Sequence, residues 1–176
     1  MHPISSSPGF AAQGFTVVEM VTVIILLGIL SIGGFSAFVK PSAFAPLIVT
    51  HELVAQARLA RRLAASRQDA AVSLSLTQSG SDWVFETSSD IDGLVRTENV
   101  SADHTALQVT NGLLSVSIDA TTSLVVEFDR VGNLSGITIG ADTGDASQAI
   151  AIQVTGDTNQ DACIFTTGYA AQVSCG

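Results

Sequence analysis

Glu19 is the only Asp, Glu, Lys or Arg residue before Lys40, and twenty uncharged residues, 20–39, follow it. A carboxylate inside lipid is costly, and it is usually paired or functional. The position therefore predicts one of two states for Glu19. Either its carboxylate meets a cation from another segment, or the protonated side chain extends to the membrane interface.

Cys163 and Cys175 are the two cysteines of the chain, with eleven residues between them. In an exported protein this spacing predicts one disulfide that closes a terminal loop. Closing such a loop stabilises the fold by roughly 3 kcal/mol. Two buried free thiols in a cytoplasmic chain are the alternative, and the apolar segment favours the disulfide.

The remaining reactive side chains form no catalytic pattern. His2, His51 and His104 are scattered along the chain. The sequence contains no G-x-S-x-G elbow, no glycine-rich phosphate loop and no H-E-x-x-H motif. We therefore predict that the protein is not an enzyme, has no catalytic residues and requires no cofactor.

The acidic segment 157–161 begins like a calcium loop, with oxygen-bearing side chains at alternate positions. Its sixth position is Ala162 rather than glycine, and no glutamate stands at the twelfth. A solvated turn is therefore the favoured interpretation, with no metal site, and calcium binding is the alternative.

Charge is unevenly distributed along the chain. The formal net charge is −9, with 16 acidic and 7 basic residues. Five of the basic residues lie close together in sequence: Lys40, Arg58, Arg61, Arg62 and Arg67. Nucleic-acid binding needs a basic face, so the acidic remainder argues against a nucleic-acid partner.

The apolar run from Phe15 to Val39 has the length of a membrane span. Its 25 residues would extend about 37 Å as a helix, and the hydrocarbon core of a bilayer is about 30 Å thick. A cleaved secretory signal would carry a basic start and a small-residue cleavage site after its core. Because both are missing here, we predict that segment 15–40 stays attached and crosses a membrane once.

GFTVVEMVTVIILLGIL, which begins at Gly14, resembles the G-F-T-x-x-E cleavage and methylation motif of the type IV prepilin class. The resemblance implies that residues 1–14 are a leader and that prepilin peptidase cuts between Gly14 and Phe15. It also implies N-methylation of Phe15, whose new amine would pair with Glu19 of a neighbouring subunit and select one assembly register. The leader departs from the family because it contains no Lys or Arg.

A second helix is predicted from about Leu47 to Asp69, because apolar residues recur there at helical spacing: Leu47, Val54, Leu59 and Leu63. Its polar side carries Arg58, Arg61, Arg62 and Arg67. This side is a solvated helix face or a contact with acidic faces of neighbouring subunits. DNA binding is a third alternative, which the acidic remainder of the chain disfavours.

The rest of the chain predicts strands, because short apolar or alternating runs are separated by turn residues such as Asn111-Gly112 and Thr167-Gly168. The runs are 71–76, 83–87, 106–110, 113–118, 124–128, 134–139, 149–154, 162–166 and 170–174. The predicted fold class is α+β: a long N-terminal α-helix, membrane-spanning in its first half, packed on a C-terminal antiparallel β-sheet domain, as in pilins. The predicted parts are a leader (1–14), a transmembrane and assembly half-helix (15–40), a soluble half-helix (41–70) and a β-rich globular domain (71–176).

Two later segments refine the resemblance. FDRVGNLSG (128–136) resembles a hairpin of the H-type pseudopilins and FimT-like minor pilins. ACIFTTGYAAQVSC (162–175) is similar to the C-terminal end of MSHA (mannose-sensitive haemagglutinin) minor pilins of the MshC type.

The resemblance implies a structural subunit, a minor pilin of an MSHA-like type IV pilus. A minor pseudopilin of the GspH type in type II secretion and a FimT-like DNA-uptake pilin are the alternatives within the class. A membrane-anchored periplasmic enzyme is the alternative outside it. The implied partners are other pilin subunits through their N-terminal helices, prepilin peptidase and the inner membrane. The implied location is the inner membrane as a single-pass protein, and after assembly a cell-surface pilus or a periplasmic pseudopilus.

Overall fold

The computed structural model describes residues 16–38, 41–67 and 70–176. The chain divides into two compact units, Met1–Lys40 and Pro41–Gly176. In the first unit, helix α1 runs from Val17 to Phe38. It begins at a T-x-x-E capping sequence, in which the hydroxyl oxygen of Thr16 accepts a hydrogen bond from the backbone N–H of Glu19 at 3.3 Å.

The predicted membrane span is contradicted. Crossing the hydrocarbon core takes about 20 consecutive apolar residues in one helix. In the part of the chain that the structure describes, no helix has the length and apolar character that a membrane crossing requires. The predicted membrane-spanning half-helix and the predicted single-pass location in the inner membrane are therefore wrong.

The prediction of one long N-terminal helix is also wrong. Helix α1 ends at Phe38, a short 3-10 turn occupies Pro41–Ala43, and helix α2 runs separately from Ala45 to Ser66. Proline lacks a backbone N–H and clashes with the preceding helical turn. Pro41 therefore opens the 3-10 turn, and Pro46 lies in the first turn of α2, where a missing N–H has no cost.

The second unit contains two antiparallel sheets instead of the single predicted sheet domain. Sheet A has the order β3-β2-β1-β6-β7-β8, and its strands are β1 Val72–Ser79, β2 Asp82–Ser89, β3 Gly93–Ser101, β6 Leu124–Phe128, β7 Leu134–Ile139 and β8 Asp142–Thr143. Sheet B has the order β11-β10-β9-β4-β5, and its strands are β4 Ala106–Asn111, β5 Leu114–Ile118, β9 Ile150–Thr155, β10 Gln160–Ile164 and β11 Ala170–Ala171. Among the described strands the chain switches sheets after β3, after β5 and after β8. Sequence order alone therefore does not predict which strands pair.

Helix α2 packs against strands of both sheets and supplies one side of the core. Its fully buried apolar residues follow helical spacing: Val49, Leu53, Ala57, Ala60 and Ala64. The predicted inward residues Leu47, Leu59 and Leu63 are only half-buried. The alanines let the helix approach the sheets closely, where the largest buried side chains include Trp83, Phe85 and Phe128.

Candidate functional site

The predicted cleavage and methylation residues, Gly14 and Phe15, lie outside the described residues. Glu19 lies in the first turn of α1, where a negative charge is favoured by the helix dipole. Its side chain is exposed, and it forms no ion pair with any described residue. The carboxylate is therefore available to a cation from another molecule.

Helix α1 is apolar and exposed around its described circumference. From Val17 to Ile29 its large apolar side chains are between 46% and 80% exposed. Contiguous apolar surface of this kind usually marks an interaction site, and a helix that is apolar all round is normally buried. The described part of α1 therefore has the surface of an interaction site.

The C-terminal segment is tied to sheet B by a disulfide between Cys163 and Cys175, the pair identified in the sequence analysis. Their Cα atoms lie 5.2 Å apart. Cys163 is fully buried in β10, so the bond fixes the last residues of the chain to the core.

The turn of ACIFTTGYAAQVSC contacts the turn of FDRVGNLSG. The backbone N–H of Leu134 donates to the carbonyl oxygen of Thr166 at 3.0 Å. Gly132 and Gly168 both have positive φ angles, and a Cβ at Gly168 would overlap the carbonyl oxygen of Gly132. The two motifs therefore form one closely packed pair of turns.

Three arginines of α2 and one tyrosine lie beside this pair of turns. We call Arg58, Arg61, Arg62 and Tyr169 the arginine face; they line a depression of about 380 Å³. The Nε–H of Arg58 donates to the carbonyl oxygen of Ala170 at 2.9 Å, and its guanidinium lies 5.3 Å from the centre of the Tyr169 ring. These contacts hold a cation–π pair at the surface.

The other two arginines are held in the same manner. Arg61 donates its Nε–H to the carbonyl oxygen of Thr167 at 3.1 Å. Arg62 donates its Nε–H to the carbonyl oxygen of Arg58 at 3.2 Å. Each guanidinium is thus anchored through Nε. Arg58 also donates a terminal N–H to the Tyr169 hydroxyl at 3.3 Å, and the other terminal N–H groups are available to bind an anion.

The structure places the described histidines, His51 and His104, apart from each other. His2 lies outside the described residues, whereas His51 and His104 line separate depressions. Asp157 accepts a 2.5 Å hydrogen bond from the Ser42 hydroxyl, and Asp161 accepts one from the side-chain amide of Gln153. Over the described residues, no group of three or more His, Cys, Asp or Glu side chains is placed to hold a metal ion.

Asp129 organises the turn of FDRVGNLSG. Its Oδ1 accepts backbone hydrogen bonds from Val131 at 2.9 Å and from Asn133 at 2.8 Å. Desolvation is the largest single influence and raises the pKa of Asp129, but the hydrogen bonds from Asn133, Val131 and Gly132 together outweigh it and lower the pKa below its usual value. The carboxylate is therefore a structural part of the turn.

Sequence reasoning missed the arginine face as a unit. It identified the arginines and the Thr-Gly-Tyr turn separately, but Arg58 and Tyr169 are 111 residues apart in the chain. Local patterns carry no signal for a contact over that separation. Comparison of the chain with family models, curated proteins and solved structures finds no match.

Proposed function

We propose that this chain is a structural subunit of a type IV pilus, a minor pilin of the MSHA type, which prepilin peptidase processes and which assembles through its N-terminal helix. One observation carries the proposal. Helix α1 starts at Val17, within the G-F-T-x-x-E motif, exposes its described apolar side chains and places Glu19 in its first turn.

Assembly would cover this apolar helix. Burying apolar surface contributes about 25 cal/mol per Å² removed from water, so packing of α1 against helices of other subunits would be strongly favourable. Cleavage before Phe15 would create an amine close to Glu19 of an adjacent subunit. A charge pair in a low-dielectric contact disfavours registers that leave either charge unpaired.

The sequence offers an internal control for the position of cleavage. Gly9-Phe10 is the same dipeptide as the proposed cleavage site, Gly14-Phe15. The intact mass of the protein is measured after expression with and without an active prepilin peptidase. We expect loss of residues 1–14 and one added methyl group only when the peptidase is present.

Gly14→Val should block this processing, whereas the matched change Gly9→Val should leave it intact. An uncut chain, or cutting after Gly9, would contradict the proposal.

The hairpin segment 128–136 supports a second candidate, a GspH-type minor pseudopilin of type II secretion. Deletion of the gene separates the two candidates. Loss of surface pili with normal enzyme secretion supports the pilin. Normal pili with loss of secretion supports the pseudopilin.

A further inference from the structure

The arginine face carries positive charge that its own chain does not neutralise. In the described ranges, ion pairs join Arg67 to Asp92 and Arg96 to Glu98. Arg58, Arg61 and Arg62 pair with no carboxylate there, although the chain has 16 acidic residues and 7 basic ones. Three uncompensated guanidiniums on a strongly acidic protein indicate a site for an external anion.

The geometry of the face suits binding of carboxylate groups. Because each Nε–H is bound to a backbone carbonyl, part of the entropy cost of ordering these long side chains is already met within the fold. Guanidinium groups bind carboxylates through two parallel hydrogen bonds. The half-exposed Tyr169 ring beneath Arg58 gives the depression an apolar floor.

A complementary surface lies on the same chain. The outward positions of sheet A carry Asp82, Glu86 and Glu127, which we call the acidic sheet face. Glu86 lies opposite Ser75 of β1, and Glu127 lies opposite Ser73. Arg96 is opposite the buried Thr87 and therefore stands at an inner position of the sheet. No lysine or arginine occupies a described strand position on the acidic sheet face.

The arginine face lies on α2 and the turn after β10, whereas the acidic sheet face is the outer side of sheet A. Helix α2 packs against the inner side of sheet A, where Val72, Leu74 and Leu76 are buried. The acidic sheet face points the other way. Contact between the two surfaces must therefore join different parts of two molecules, and such a heterologous contact repeats along a row of subunits.

We propose that the arginine face binds the acidic sheet face of a second copy of this chain. The contact consists of hydrogen bonds from the guanidiniums to Glu86 and Glu127, so it weakens as salt rises. The placement of this contact in a fibre rests on the proposed function. The contact itself can be tested on the full chain without cleavage by prepilin peptidase.

Photo-crosslinking of the full chain tests this contact. A benzoylphenylalanine residue replaces Ala55, which is exposed on α2 one turn before Arg58. Isotopically light and heavy chains are mixed, so that mass spectrometry separates crosslinks between copies from those within one copy. We expect crosslinks between copies to peptides that contain Glu86 or Glu127, with yields that fall at high salt.

Charge reversal gives the matched comparison. Arg62→Glu should lower the crosslink yield by about ten-fold or more, whereas Arg96→Glu, with the same change in net charge, should leave it within about two-fold. Adding Glu127→Arg to the Arg62→Glu chain should restore most of the yield. This rescue separates a lost contact from a misfolded variant.

Three outcomes would overturn the proposal: no crosslinks between copies, crosslinks that avoid the acidic sheet face, or equal effects of Arg62→Glu and Arg96→Glu. Arg62-dependent retention of duplex DNA without these crosslinks would also overturn it, in favour of a phosphate ligand. Processing by the peptidase is scored separately, so either proposal can fail while the other stands.

Discussion

The Cα of Gly168 faces the carbonyl oxygen of Gly132 so closely that no side chain fits between them. The φ angles of these residues are +69° and +88°, a region that favours glycine. This contact joins the turn after β6 to the turn after β10 and supports the backbone beside the arginine face.

Gly168→Ala should therefore lower the free energy of unfolding by roughly 3 kcal/mol, through left-handed backbone strain and a displaced turn. Gly80→Ala is the matched control, because Gly80 has a φ angle of +62° but open space around it. Gly80→Ala should lower the free energy of unfolding by only about 1 kcal/mol. Urea unfolding measures the free energy of unfolding of both variants. An equal loss in Gly168→Ala and Gly80→Ala would show that the two turns can separate freely.

Asn111 holds the segment before β9. This buried side chain donates to the carbonyl oxygens of Asp145 and Ala149 and accepts from the backbone N–H of Asp145. Asn111→Ala leaves buried polar groups without partners and should cost about 2–4 kcal/mol. The exposed Asn99→Ala should change stability by less than about 0.5 kcal/mol. A comparable effect at both sites in thermal or urea unfolding would contradict this assignment.

The Cys163–Cys175 disulfide should contribute about 3 kcal/mol. Unfolding of the oxidised chain, the reduced chain and the Cys163→Ala/Cys175→Ala variant in urea measures this contribution. We expect the reduced chain and the double variant to unfold at lower urea than the oxidised chain. Reductant should have no effect on the double variant, and an unchanged midpoint for the reduced chain would disprove the contribution.

Protonation of the Asp129 carboxylate should contribute to the loss of stability in acid. Because folding lowers the pKa of Asp129, its charged form stabilises the fold at pH values above the ordinary aspartate pKa of 3.8. This contribution is lost as pH falls through the lower pKa of the folded state. Asp129→Asn should therefore cost more stability at pH 7 than at pH 3, as measured by urea unfolding at both values. An equal cost at the two pH values would show that the carboxylate charge does not stabilise the turn.

Local patterns in the sequence predict many individual elements. Alternation in 71–76 predicts a strand, and β1 occupies Val72–Ser79. Apolar spacing predicts a helix over 47–69, and α2 occupies Ala45–Ser66. Strand β3, Gly93–Ser101, was missed because it is an edge strand whose side chains are mostly exposed, so it lacks apolar alternation.

The sequence by itself determined where Glu19 and the cysteines stand, where the turn glycines fall and how unevenly charge is spread. The apolar run also suggested one continuous spanning helix, an interpretation that the described helices contradict. Only the tertiary structure decided that the described strands form two sheets and that Val49, Leu53 and the alanines face the core. It alone placed Arg58 against Tyr169. These features depend on contacts between distant parts of the chain, whereas turn chemistry, helix capping and residue periodicity act over a few neighbouring residues.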